Sequence, residues 1–204
     1  VKIKLKNVRL LYAAALFVPQ KGPNGEGEPK HSATFGFPPN HPVVAEIRAA
    51  FKKLCEEKFG AKAGDAFLAM KAGDKLCLHD GDAKADKEGY KGNLYLSASN
   101  KLKPLIIDGN LSPVEANSGT IYSGCMVNGT VELWVQDNKW GRRINASLQG
   151  VQKLGEGQRL SGGGVSSVDD YEAIPDAPVA PAAAGGGATT PAGATAGANP
   201  DPFA

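Results

Sequence analysis

From residue 2 to residue 12 apolar and polar side chains take turns. Ile3 and Leu5, then Val8, Leu10 and Tyr12, are separated by polar positions. A two-residue period sends alternate side chains to opposite faces, so this stretch predicts a β-strand. A second strand is predicted over 30–37, with His31, Ala33, Phe35 and Phe37 on one face and Ser32 and Thr34 on the other. The glycine- and proline-containing segment 20–29 joins the two as a loop.

The period then changes. Val43, Val44, Ile47, Phe51, Leu54 and Cys55 fall at helical spacing, with Asn40 as the expected cap, Pro42 in the first turn and Gly60 as the end. Further strands are predicted over 75–78, 93–99, 105–107, 121–136 and 142–151, with a turn at 137–141 between the last two. Five or more strands and one helix in about 160 residues predict a mainly β fold, a small five-stranded barrel with an inserted helix. A sandwich and an open α+β sheet are the alternatives.

Composition divides the chain in two. Of the 44 residues in 161–204, 26 are Ala, Gly or Pro, and none is Lys or Arg. Such a segment buries too little apolar surface to offset about 1–2 kcal/mol per residue of backbone entropy, so a disordered tail is expected after a domain spanning 1–160. The formal charge of +2 hides the same division. All 23 basic residues lie at or before Arg159, against 16 acidic ones, leaving a body of +7. The tail carries Asp169, Asp170, Glu172, Asp176 and Asp201, a charge of −5. A body of that sign suits a polyanion, and the tail is expected to compete for the same surface.

Three scattered cysteines, Cys55, Cys77 and Cys125, without a C-x-x-C pair, point to free thiols in a reducing compartment. Lys2, Lys4, Lys6 and Arg9 ahead of the apolar run 10–18 mimic a signal peptide, but the strand alternation and the lack of a small-x-small cleavage site oppose that reading. No phosphate-binding loop, G-x-S-x-G elbow or H-E-x-x-H is present, so no enzyme and no cofactor are expected. His79, Asp80, Gly81 and Asp82, with Asp86 nearby, form the best metal candidate. As a calcium loop they fail, with Ala85 where glycine is needed and Lys91 where a bidentate Glu belongs. An Asx turn explains the same residues.

Basic residues interleaved with aromatics on predicted strands carry the functional signal. Tyr95 leads into Lys101 and Lys103, Trp134 alternates out of its strand, and Trp140 sits in a turn beside Arg142 and Arg143. An exposed ring holds any base by stacking, and adjacent cations neutralise phosphates. Tyr12 and Tyr122 are further stacking candidates. Phe35, Phe51, Phe59 and Phe67 are assigned to the core.

The order of these motifs resembles the tailed-phage single-stranded DNA-binding proteins. The matching stretches are Val8-Arg9-Leu10 with Leu16-Phe17-Val18-Pro19, Pro29-Lys30-His31-Ser32-Ala33-Thr34-Phe35, and His79-Asp80-Gly81-Asp82. Leu96-Ser97-Ala98-Ser99-Asn100-Lys101, Ile121-Tyr122-Ser123-Gly124-Cys125-Met126-Val127-Asn128 and Leu148-Gln149-Gly150-Val151-Gln152-Lys153 complete the series. The family pattern has an aromatic where His31 and Met126 stand and an Arg where His79 stands.

The resemblance implies an OB barrel without catalysis that coats single-stranded DNA in phage replication, recombination or repair, in the cytoplasm of the infected host. It adds Arg9, Phe17 and Lys30 to the DNA-binding set. It also gives the tail a purpose: Asp201 and Phe203 near its end are expected to recruit a polymerase, helicase/primase or recombinase, with homodimerisation left open. A metal-dependent nuclease and a virion scaffold are the rival readings.

Overall fold

A computed structural model describes residues 1–22 and 25–160; the tail expectations, including Asp201 and Phe203, lie outside the described residues. Seven strands form one sheet: β1 (Lys2–Tyr12), β2 (His31–Phe37), β3 (Leu78–Asp80), β4 (Leu94–Asn100), β5 (Leu105–Ile107), β6 (Met126–Asn138) and β7 (Gly141–Gly155). Their order is β3-β4-β2-β1-β6-β7-β5. The sheet curls until β4 meets β7, where the Asn100 side-chain amide donates to the Leu148 carbonyl at 2.9 Å. The ring β1-β2-β4-β7-β6 is the expected five-stranded OB barrel. The two short strands expected near 75–78 and at 105–107 lie outside the ring: β3 extends the sheet along β4, and β5 pairs parallel with β7.

The ring's seam is stitched from outside. Ile144 N donates to the Lys75 carbonyl at 2.9 Å, and Ser97 N donates to the Cys77 carbonyl at 3.0 Å. The segment expected as a strand over 75–78 therefore bridges β7 and β4, and the strand proper starts at Leu78. Residues 121–125, expected as the start of β6, lie outside it: Leu10 of β1 still bonds Gly124 N and Cys125 O there, but Gly124 at φ 111° breaks the extended backbone.

Alternation explains the barrel interior. Ile3, Leu5, Val8, Leu10, Phe35, Leu96, Val127, Val131, Leu133, Ile144 and Leu148 are buried together. The phase slip between Leu5 and Val8 is a bulge, with Asn7 in the left-handed region at φ 51° and its N–H bonded to the Asn128 side chain. Helix α1 (Ala14–Phe17) follows β1, and α2 (Pro42–Phe59) is inserted between β2 and β4 as expected. His41, rather than Asn40, caps α2, its Nδ1 accepting from Val43 N at 3.2 Å. Gly60 ends it at φ 54°. A further helix, α3 (Ala63–Ala72), follows α2 where no element was expected. No helix among the described residues is long and apolar enough to cross a membrane.

Candidate nucleic-acid interface

The outward face of β2 and β4 is floored by small hydroxyl side chains in register, Ser32 opposite Ser99 and Thr34 opposite Ser97. Nothing large stands on this floor, so a groove of about 650 Å³ opens over it. Tyr12 from β1 and Gln20 wall one side, hydrogen-bonded to each other at 2.9 Å, and Lys21, Lys30 and Lys84 add positive charge.

A second groove, of about 620 Å³, shares Lys30, Ser97 and Ser99 with the first and runs over the seam. Across it, β7 contributes Arg143, Asn145 and Ser147, and β6 contributes Trp134 and Gln136. These face outward together because Trp134 pairs with Asn145 and Gln136 with Arg143 in the β6–β7 register. Lys75 and Lys101 complete the basic lining. The two grooves form one trough crossing β2, β4, β7 and β6.

Two details define what this trough can hold. Trp134 is 42% exposed, with its indole N–H bonded to Ser147 Oγ at 3.0 Å, which leaves the ring available for stacking. Arg143 Nε is buried without a hydrogen-bond partner among the described residues. A buried guanidinium nitrogen without an acceptor costs desolvation energy that an arriving anionic oxygen recovers. One cation here is already engaged, since Lys101 pairs with Glu28 and its hydrogen bond holds that carboxyl below the ordinary carboxylate range.

Of the expected DNA-binding residues, the trough brings together Tyr12, Lys30, Lys101, Trp134 and Arg143. Trp140 and Arg142 lie outside it at the tip of the β6–β7 hairpin. The indole of Trp140 is 77% exposed, while Arg142 bonds Asp137 at 3.2 Å and its guanidinium carbon lies 5.0 Å from the centre of the Phe59 ring. Lys103 is exposed in the link between β4 and β5.

Four expectations are corrected. Tyr95 is only 5% exposed, its ring stacked on His79 at 5.0 Å, met edge-on by Tyr90 and approached by the Lys84 ammonium at 4.6 Å, so no face is free for a base. Phe17 packs against the core. Arg9 donates to the carbonyls of Gly124 at 3.3 Å and Gln158 at 2.8 Å, fastening the end of the domain. Tyr122 belongs to the same fastening. Lys153 and Arg159 approach its ring at 4.6 and 4.0 Å, and its hydroxyl bonds Glu156 at 2.5 Å. Those bonds, from Lys153 first and Tyr122 second, hold the Glu156 carboxyl below its ordinary value.

Lys75, Lys21, Lys84, Gln136 and Asn145 were missed by the sequence reading. The signal for Gln136 and Asn145 was their alternation with Val135 and Ile144; Lys84 lies in an irregular segment where no period exists, and Lys75 opens the segment read as a strand over 75–78. The acidic cluster proves to be local turn chemistry. Asp80 Oδ1 accepts from Asp82 N at 3.0 Å, Asp82 Oδ1 accepts from Gly92 N at 2.7 Å, and His79 bonds Asp74 at 2.8 Å. His31, buried, bonds the Leu16 carbonyl at 3.0 Å.

A family model described as Enterobacter phage Enc34, ssDNA-binding protein, matches residues 1–179. Protein p50 of Acyrthosiphon pisum secondary endosymbiont phage 1 is 44% identical over 174 residues, which are 84% of this chain and 92% of that protein. Among solved structures, the single-stranded DNA-binding protein from bacteriophage Enc34 in complex with ssDNA aligns at a TM-score of 0.64 and 30% identity, covering 78% of this chain and 88% of that one. The single-stranded DNA-binding protein gp2.5 of bacteriophage T7 shares the fold, with a TM-score of 0.52 and 13% identity over 88% of this chain and 98% of its own. The chain belongs to the family of the phage Enc34 ssDNA-binding protein.

Proposed function

We propose that the protein binds single-stranded DNA without sequence preference, the strand lying in the trough over β2, β4, β7 and β6. The observation that carries this reading is the joining of Trp134, Arg143, Lys30, Lys75 and Lys101 around a floor of small hydroxyl residues. Every base has a flat π face, so stacking on Trp134 tolerates any sequence, while the cations track the phosphates. Asn145, Gln136 and the serine hydroxyls offer hydrogen bonds to sugar or phosphate oxygens. Duplex DNA presents its bases already stacked and denies them to the indole.

Coating of displaced strands during phage replication, recombination or repair, in the host cytoplasm, follows from this activity. The acidic tail, through Asp201 and Phe203, recruits a replication partner. Titration of the tryptophan fluorescence with single-stranded and duplex DNA at two salt concentrations tests the reading. Quenching by the single strand that weakens with salt is expected; preference for duplex, or indifference to salt, overturns it.

A further inference from the structure

β1 carries a second basic surface that the trough does not include. Lys2, Lys4 and Lys6 are exposed and share a cleft of about 530 Å³ with His41, Pro42 and Glu46 at the start of α2. The ion pairs among the described residues involve none of the three lysines. Side chains on one face of a strand recur about every 6.8 Å, so Lys2 and Lys4 stand in a line of positive charge that Lys6 continues into the bulge.

The register joins this line to the trough. Lys2 faces Glu132 on β6, and Lys4 faces Thr130. Glu132 in turn faces Ser147 on β7, which lines the trough and holds the Trp134 indole. Strands in a sheet are about 4.8 Å apart, so Lys2 begins about 10 Å from the trough's edge. One carboxylate stands between them, and the Gln149 side-chain amide donates to it at 3.3 Å.

We infer that single-stranded DNA leaving the trough beside Trp134 crosses β6 and continues along Lys2, Lys4 and Lys6, which neutralise the phosphates of its flank. The inference rests on the trough being the core site. Charge and proximity select this occupant: the line starts about 10 Å beyond the trough's edge, two strands over, and has the sign that a departing strand needs. The protein then has two zones on one strand, a stacking core and a purely electrostatic flank. Only a strand longer than the core reaches the second.

The test compares the full chain with a K2Q/K4Q/K6Q variant on two oligothymidylates. One is about 8 nucleotides, within the roughly 4–16 that one OB barrel covers, and the other is about 25. The short oligonucleotide is expected to bind both proteins alike. On the long one the variant's log–log salt slope falls by about 2, at about 0.7 per phosphate on a single strand, and low-salt affinity drops on the order of tenfold.

Glu132→Gln is expected to tighten the long oligonucleotide alone. Equal melting temperatures for variant and parent check the fold. A wild-type slope for the triple variant on the long strand overturns the inference, as does an equal loss on both lengths, which marks a general field around the protein. A wild-type protein that binds neither length overturns the core reading and this one with it.

Discussion

Trp134 donates its indole N–H to the Ser147 hydroxyl across the β6–β7 hairpin, and the two are not directly paired in the ladder: Trp134 stands opposite Asn145 and Ser147 opposite Glu132. The bond is therefore diagonal and holds the ring over β7, beside the trough. Trp134→Ala should weaken single-stranded DNA binding by roughly 5- to 150-fold, the equivalent of about 1–3 kcal/mol of stacking. Ser147→Ala keeps the ring and loses only its orientation, so its cost should be smaller. Both are read by oligonucleotide titration at fixed salt; a Trp134→Ala protein of unchanged affinity removes the indole from the site.

Arg142 and Arg143 are neighbours in sequence and differ in commitment. Arg142 is engaged with Asp137 and the Phe59 ring, whereas Arg143 Nε has no hydrogen-bond partner among the described residues. Arg143→Ala should lower the salt slope for single-stranded DNA by about 0.7 and Arg142→Ala by clearly less. Equal slopes for the two variants would contradict the assignment.

Gly81 opens the short 3-10 turn that carries Lys84 toward the trough. A Cβ added there would stand 2.1 Å from the Tyr90 carbonyl oxygen and 2.5 Å from that of Asn93, and backbone cannot step aside as a side-chain tip can. Gly81→Ala should lower the melting temperature, at a cost of about 1–3 kcal/mol. Calorimetry measures it, and an unchanged transition would refute the close approach.

Burial pushes all three thiols up, Cys77 to about 12 from an ordinary 9.0. Disulfide-exchange labelling near pH 8 should find no fast-reacting thiol in the native protein and all three once it is denatured. The folded state keeps the Cys77 proton that the unfolded state releases, so its contribution to stability is complete below about pH 9 and is lost as pH rises toward 12. Cys77→Ala should flatten that alkaline decline in melting temperature. Rapid labelling of the native protein would argue against burial.

The tail carries five acids and no base, against a body of +7. Truncation after Leu160 should raise affinity for single-stranded DNA, most at low salt where charges are least screened. Equal affinity with and without the tail, measured at low ionic strength, would contradict this.

Much of the barrel was legible because its strands alternate over long stretches. β1 was read to the residue, although the shift from Ile3 and Leu5 to Val8 and Leu10 was read as plain alternation and proves to be a bulge. α3 was not: Gly60 and Gly64 break the pattern, and only Ala66 and Met70 of that helix are buried. Trp134 was put forward by its period; Arg143 was put forward with Arg142 as a neighbour of Trp140, and the β6–β7 register is what sets it in the trough lining. Tyr95 could not be excluded from it, because the residues that cover its ring, His79, Lys84 and Tyr90, come from a segment without a period. Arg9 and Tyr122 looked like ligands for the same reason, since the carbonyls and cations that engage them lie over 30 residues away in sequence.

The seam between β4 and β7 has a consequence for how the molecule behaves when occupied. The two strands are not neighbours in the hydrogen-bonded order, and their shared core packing is supplemented by one side-chain amide and a short bridge of backbone. A strand of DNA lying in the trough crosses that line and touches both banks, so it acts as an added stave that hoops the cask shut. By linkage, any ligand that spans both banks adds to the stability of the closed ring it binds.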